Sequence, residues 1–184
     1  YRSEYPMPKD KMLSWHSRLW DEYPDQTHFN ESAAVSFFES LESPGKVVEI
    51  GGWRGELARL ILGLFPRVVS WDNHEICREA VADQCCDDPR YYAFCGKIAG
   101  PVTCDTLGMS HSIEHMSDEE ALSVLGSECS NLYVDSPLTA SGSDWNGTTC
   151  FHVLRMGWDR LNDEIASRGF SPVGISGSAS WYRR

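Results

Sequence analysis

Residues 110–116 read Ser-His-Ser-Ile-Glu-His-Met, and within them His111-x-x-Glu114-His115 matches the inverted zincin pattern of zinc hydrolases. That chemistry needs both histidines on one face of a helix. Here the stretch Asp-Thr-Leu-Gly-Met-Ser at 105–110 reads as a strand running straight into His111. Ser117-Asp-Glu-Glu120 is a capping box, so a helix starts only after Ser117. The histidines are therefore expected on a strand end and its loop, and no metal centre is expected. A second stretch able to do chemistry is Val-Val-Glu-Ile-Gly-Gly-Trp-Arg-Gly-Glu-Leu-Ala at 47–58. Glycines there let backbone approach a ligand closely, and a following helix start supplies free N–H groups. Asp72 closes the next strand, 21 residues after Gly51. An acid at that point can accept hydrogen bonds from both hydroxyls of a ribose.

These residues need elements to position them. Asn30 can cap a helix with Ala34, Phe37, Phe38 and Leu41 on one face, stopped by Ser43-Pro44-Gly45. Strands are expected at 46–50, 67–71, 91–95, 105–110 and 131–135. Between them the 3.6-residue spacing of apolar side chains predicts helices at 56–65, at 74–86 and after Ser117. A last helix carries Leu154, Trp158, Leu161 and Ile165 on one stripe and ends at Gly169. Residues 171–176 and 179–184 are expected to close the sheet as a terminal antiparallel pair of strands. The alternation of strands and helices implies an α/β fold, a Rossmann-like doubly wound and mainly parallel sheet with helices on both faces. Its ligand site lies beyond the carboxyl ends of the strands, near the point where strand order reverses.

The 184 residues are enough for one domain with a sizeable core. No apolar run approaches the roughly 20 residues of a membrane-spanning helix. No basic start with an apolar stretch behind it marks a secretory leader, and the cytoplasm is the expected compartment. The net charge of −11 argues against nucleic acid as the main partner. Seven cysteines, an odd number without a Cys-x-x-Cys pair, suit free buried thiols better than a disulfide framework.

In order and spacing, several segments resemble the class I S-adenosylmethionine-dependent methyltransferases over about residues 46–184. VVEIGGWRG (47–55) is similar to that family's glycine loop, and VVSWD (68–72) to its acidic second strand. CDTLGMSHSIEHM (104–116) is similar to its fourth strand, LYVDSP (132–137) to its fifth, and FHVLRMGWDRLNDEIASRGF (151–170) to its late helix. Two departures stand out. The middle glycine of the loop is Trp53, and the third strand runs into Gly96-Lys97 where the family has Gly-Asp.

The resemblance implies an enzyme that transfers methyl from S-adenosylmethionine to a small molecule or an exposed group. It implies cofactor contacts from Glu49, Gly51, Gly52, Trp53, Gly55, Asp72, Asn73, Gly96, Lys97, Ser110 and His111. His111 and His152 are the candidate bases. Glu114 and His115 are read as a loop held by local hydrogen bonds, and Asp135 as facing substrate or shaping the turn with Pro137. Residues 1–45 are read as an N-terminal helical segment, a candidate lid. The rival readings are a non-catalytic module of the same fold, a nicotinamide enzyme, whose G-x-G-x-x-G is not supplied here, and the metal hydrolase.

Overall fold

Lys46–Ile50 forms β1, and its side chains alternate between two buried faces, Val47 on one side and Val48 and Ile50 on the other. The computed structural model describes residues 30–41, 45–52, 55–64, 67–72, 90–95, 100–138 and 154–184, with 67–72 and 91–95 described through their backbone. The remaining strands are β2 (Arg67–Asp72), β3 (Tyr91–Cys95), β4 (Thr106–Ser110), β5 (Asn131–Asp135), β6 (Ser171–Ser176) and β7 (Ala179–Arg183). They form one sheet in the order β3-β2-β1-β4-β5-β7-β6. The first five are parallel neighbours, and β7 pairs antiparallel with both β5 and β6. This is the doubly wound sheet with a terminal antiparallel pair that the sequence predicts.

Helices cover both faces. On one lie α1 (Glu31–Glu39) and α2 (Glu56–Leu62). Ala33, Ala34, Phe37 and Phe38 of α1 join Leu57, Ala58 and Ile61 of α2 over Val47 and Tyr133. The Phe37 ring stacks on Tyr133 at 5.5 Å between centroids. On the other face lie α3 (Asp118–Leu125) and α4 (Trp158–Ser167), whose Ala121, Val124, Leu125, Leu161 and Ile165 pack on Leu107, Met109, Leu132 and Val134. β4 and β5 are buried along their whole length, as central parallel strands must be.

Local signals explain where the elements start. Asn30 caps α1, its side chain accepting from the Ala33 N–H. Both halves of the predicted capping box are made at α3, with Ser117 accepting from the Glu120 N–H and Glu120 accepting from the Ser117 N–H. Two predicted boundaries move. The helix after β1 stops at Leu62 rather than running to 65, because Gly63 begins a turn there, and glycine is a poor helix former. The late helix starts at Trp158, so Leu154 lies outside it. Leu154 N–H donates to the Glu114 carbonyl at 3.1 Å and Arg155 N–H to Asp118 Oδ1 at 2.7 Å. Those bonds hold 154–157 away from helical geometry while leaving Leu154 buried. The helix expected at 74–86 lies outside the described residues.

Candidate functional site

Strand order reverses between β1 and β4, and the chain leaves these two neighbours in opposite directions. Their carboxyl ends therefore border a crevice, which is where open α/β sheets bind ligands. β1 leads into Gly51 and Gly52, and β4 into Ser110, His111 and Ser112. The two exits touch. Gly51 has φ +78°, and a Cβ built on it would fall 2.4 Å from the Ser112 Cβ. No side chain fits there, and a left-handed backbone strains any residue but glycine. Gly55, at φ +75°, is the N-cap of α2 and leaves the first turn of that helix without a side-chain cap. A helix start of this kind follows the glycine turn, the usual place for a polar or anionic ligand group.

Four predicted contacts meet here. Glu49 is buried, one residue from the end of β1, on the α1–α2 face. Gly51 and Gly52 form the turn, and Ser110 ends β4. Ser110 and Ser112 are 8% and 7% exposed, and neither hydroxyl has a hydrogen-bond partner among the described residues. A buried hydroxyl without a partner costs about 1–3 kcal/mol, which a bound ligand group would recover. Asp72 ends β2, and its neighbour Trp71 pairs with Ile50, so the Asp72 backbone is level with Gly51. Trp53, Asn73, Gly96, Lys97 and His152 lie outside the described residues, as does the lid segment up to residue 29.

His111 follows directly, at φ +47°, the left-handed region seldom taken by residues other than glycine. Its N–H donates to the Asp135 carbonyl at 2.7 Å, which ties the turn to β5. The imidazole Nδ1 lies 3.4 Å from Glu114 Oε1, and Nε2 lies 3.9 Å from Asp135 Oδ2. About a third of the ring, 35%, remains exposed, whereas both carboxylates are buried. Burial opposes a charge on His111. The Glu114 bond and the charges of Glu114 and Asp135 outweigh it, and the imidazole pKa rises above its ordinary value. Burial likewise pushes the Glu114 carboxyl up. The His111 bond, the charges of His115 and His111 and a backbone hydrogen bond reverse this and hold it below the usual carboxylate range.

The opening motif thus resolves into a strand end and a 3₁₀ turn, Ile113–His115, rather than a helix. Its two histidines do not share a helix face, so the inverted zincin geometry is not built.

Asp135 is the residue whose place the sequence leaves open, and Glu114, read as held by local hydrogen bonds, also has a partner 22 residues away. Asp135 is fully buried, with Oδ1 accepting from the Ser178 hydroxyl at 2.6 Å and Oδ2 from the Asn30 N–H at 2.7 Å. It therefore fastens the start of α1 and the β6–β7 turn to the end of β5. Glu114 accepts from the Ser136 hydroxyl at 2.9 Å. Ser112 and Ser136 carry no motif signal in sequence. Glu114 does, through the Glu-His ending of the fourth-strand segment.

No family model matches the chain, and no curated protein matches it. Solved structures do. The Burkholderia thailandensis 1,6-didemethyltoxoflavin-N1-methyltransferase, solved with 1,6-didemethyltoxoflavin and S-adenosylhomocysteine bound, superposes with a TM-score of 0.70 at 14% identity, covering 96% of this chain and 86% of that one. The DhpI–SAH complex gives 0.66 at 15% identity over 95% and 94% of the two chains. An S-adenosylmethionine-dependent methyltransferase from Aquifex aeolicus gives 0.63 at 14% identity over 96% and 98%. The chain has the class I S-adenosylmethionine-dependent methyltransferase fold.

Proposed function

We propose that the protein is an S-adenosylmethionine-dependent methyltransferase acting on a small-molecule nucleophile in the cytoplasm. The observation that carries this reading is the junction at the carboxyl ends of β1 and β4. A glycine turn with no room for a side chain faces two buried hydroxyls left without partners, at the switch point of a methyltransferase-type sheet.

In this reading Gly51, Gly52 and Gly55 let the cofactor approach backbone, and Glu49, Ser110 and His111 border its amino-acid end. Asp72 accepts hydrogen bonds from its ribose, with Trp53, Asn73, Gly96 and Lys97 around the nucleoside. The bound cofactor supplies an electrophilic methyl group on a sulfonium. The chain's own work is to hold the acceptor in line and to exclude water, which in oriented reactions accounts for much of the barrier reduction. His111 takes a proton from the acceptor where the acceptor carries one, and His152 is the second candidate base.

Calorimetric titration with S-adenosylmethionine tests the reading. The intact chain should bind, and Asp72→Ala should bind at least about tenfold more weakly, since a charge-assisted hydrogen bond is worth roughly 1.5–3 kcal/mol. Absence of binding by the intact chain would favour a non-catalytic module of the same fold.

A further inference from the structure

The His111 ring has two nitrogens in unlike surroundings. Nδ1 lies 3.4 Å from Glu114 Oε1. That carboxylate is itself held from its other side, where Oε2 accepts from the Ser136 hydroxyl at 2.9 Å. Nε2 has Asp135 Oδ2 at 3.9 Å, beyond hydrogen-bond range, and Asp135 is already satisfied by Ser178 and Asn30. The backbone adds a second constraint, since the His111 N–H is bound to the Asp135 carbonyl and its φ is +47°. These two features fix the backbone from which the ring projects.

We infer that Glu114, seated by Ser136, is a positioning residue that fixes His111 as the Nδ1–H tautomer, leaving Nε2 as the nitrogen that exchanges a proton in the crevice. Glu114 Oε1, at 3.4 Å, is the acceptor nearest Nδ1, so its charge draws the proton to that nitrogen and the lone pair of the neutral ring sits on Nε2. The proton taken there makes an imidazolium flanked by Glu114 on one nitrogen and by the more distant Asp135 charge on the other. When the ring returns the proton, Nε2 is again the open site. A buried carboxylate that orients an imidazole in this way decides both its tautomer and its basicity. The charged and titratable groups that face the ring among the described residues are Glu114 and Asp135, with His115 beside Glu114.

The inference rests on the methyltransferase reading for what Nε2 acts on, but not for the tautomer itself. Long-range ¹H–¹⁵N NMR of the full chain, without cofactor, reads that tautomer directly. In the wild type the neutral His111 ring should carry its proton on Nδ1, the reverse of the form favoured by free histidine. In Glu114→Gln the preference should be lost, and the His111 pKa should fall toward its ordinary value. Ser136→Ala, which leaves the carboxylate in place, should keep the tautomer but lower the pKa less. Its spectrum, with that of the wild type, decides the matter if Glu114→Gln does not fold. A neutral His111 protonated on Nε2 in the wild type, or a tautomer and pKa unchanged in Glu114→Gln, overturns the inference. If the NMR result holds and calorimetry shows no S-adenosylmethionine binding, the methyltransferase reading fails alone.

Discussion

The two ends of the sheet bury polar groups in opposite ways. At the amino end, Cys104 and Cys129 sit before β4 and β5 in matching register, and the Cys104 N–H donates to the Glu128 carbonyl at 3.0 Å. The Asp105 carboxylate accepts from the Lys46 N–H at 2.5 Å, and Asn131 Nδ2 reaches both the Asp105 carbonyl and Thr106 Oγ1 at 3.3 Å. Ser127 accepts from the Val102 N–H and donates to the Val124 carbonyl. Both thiols are free and buried, and hydrogen bonding to Cys129 together with burial pushes the Cys104 thiol up.

At the carboxyl end, Ser110 and Ser112 bury hydroxyls without partners. His111 is the single non-glycine at positive φ among the described residues. A protein tolerates unsatisfied groups and backbone strain chiefly where something else will use them. The amino end closes the fold. The carboxyl end is left incomplete, and that difference locates the site without reference to any relative.

The sharpest way to break the contrast is Gly51→Val. A side chain at φ +78°, aimed at an atom 2.4 Å away, should cost more than about 2 kcal/mol and abolish S-adenosylmethionine binding. Near-normal affinity in a folded variant, measured by calorimetry, would move the ligand elsewhere. Next in size, Asn131→Ala at the amino end should lower unfolding stability by about 1–2 kcal/mol through two lost hydrogen bonds, with cofactor affinity untouched. A large loss of affinity would show that the amino end is not merely structural.

The smallest effect has opposite signs in two assays. Ser110→Ala removes an unpaired buried hydroxyl, so the ligand-free protein should gain up to about 1 kcal/mol in chemical denaturation. Affinity for S-adenosylmethionine should fall by a few-fold in the same variant. Stability and affinity falling together would place Ser110 with the satisfied polar groups of the amino end.

What the sequence could settle was whatever a few neighbouring residues decide. β1, β3 and β5 lie where their short apolar runs, rich in valine and aromatic residues, put them. The α3 capping box and the Asn30 cap are local hydrogen bonds, written within four residues. The glycine turn after β1 was likewise visible, since Gly51 and Gly55 do adopt the backbone that only glycine takes easily.

Other features needed the assembled sheet. The late helix begins after Leu154 because bonds to Glu114 and Asp118, some 40 residues earlier in the chain, compete with the helical pattern. Asn30 meets Asp135 across a separation of 105 residues, so a helix cap doubles as a fastening that no local reading reveals. That His111-x-x-Glu114-His115 falls on a strand end and loop was legible from the 105–110 strand pattern and the Ser117 capping box, and the β4 ladder and the 3₁₀ turn agree. The contacts His111 makes with Asp135 on the neighbouring strand were not legible. The tertiary pairing of β4 with β1 and β5 therefore decided what those residues can do, because hydrogen bonds between strands far apart in sequence set the backbone on which the side chains stand.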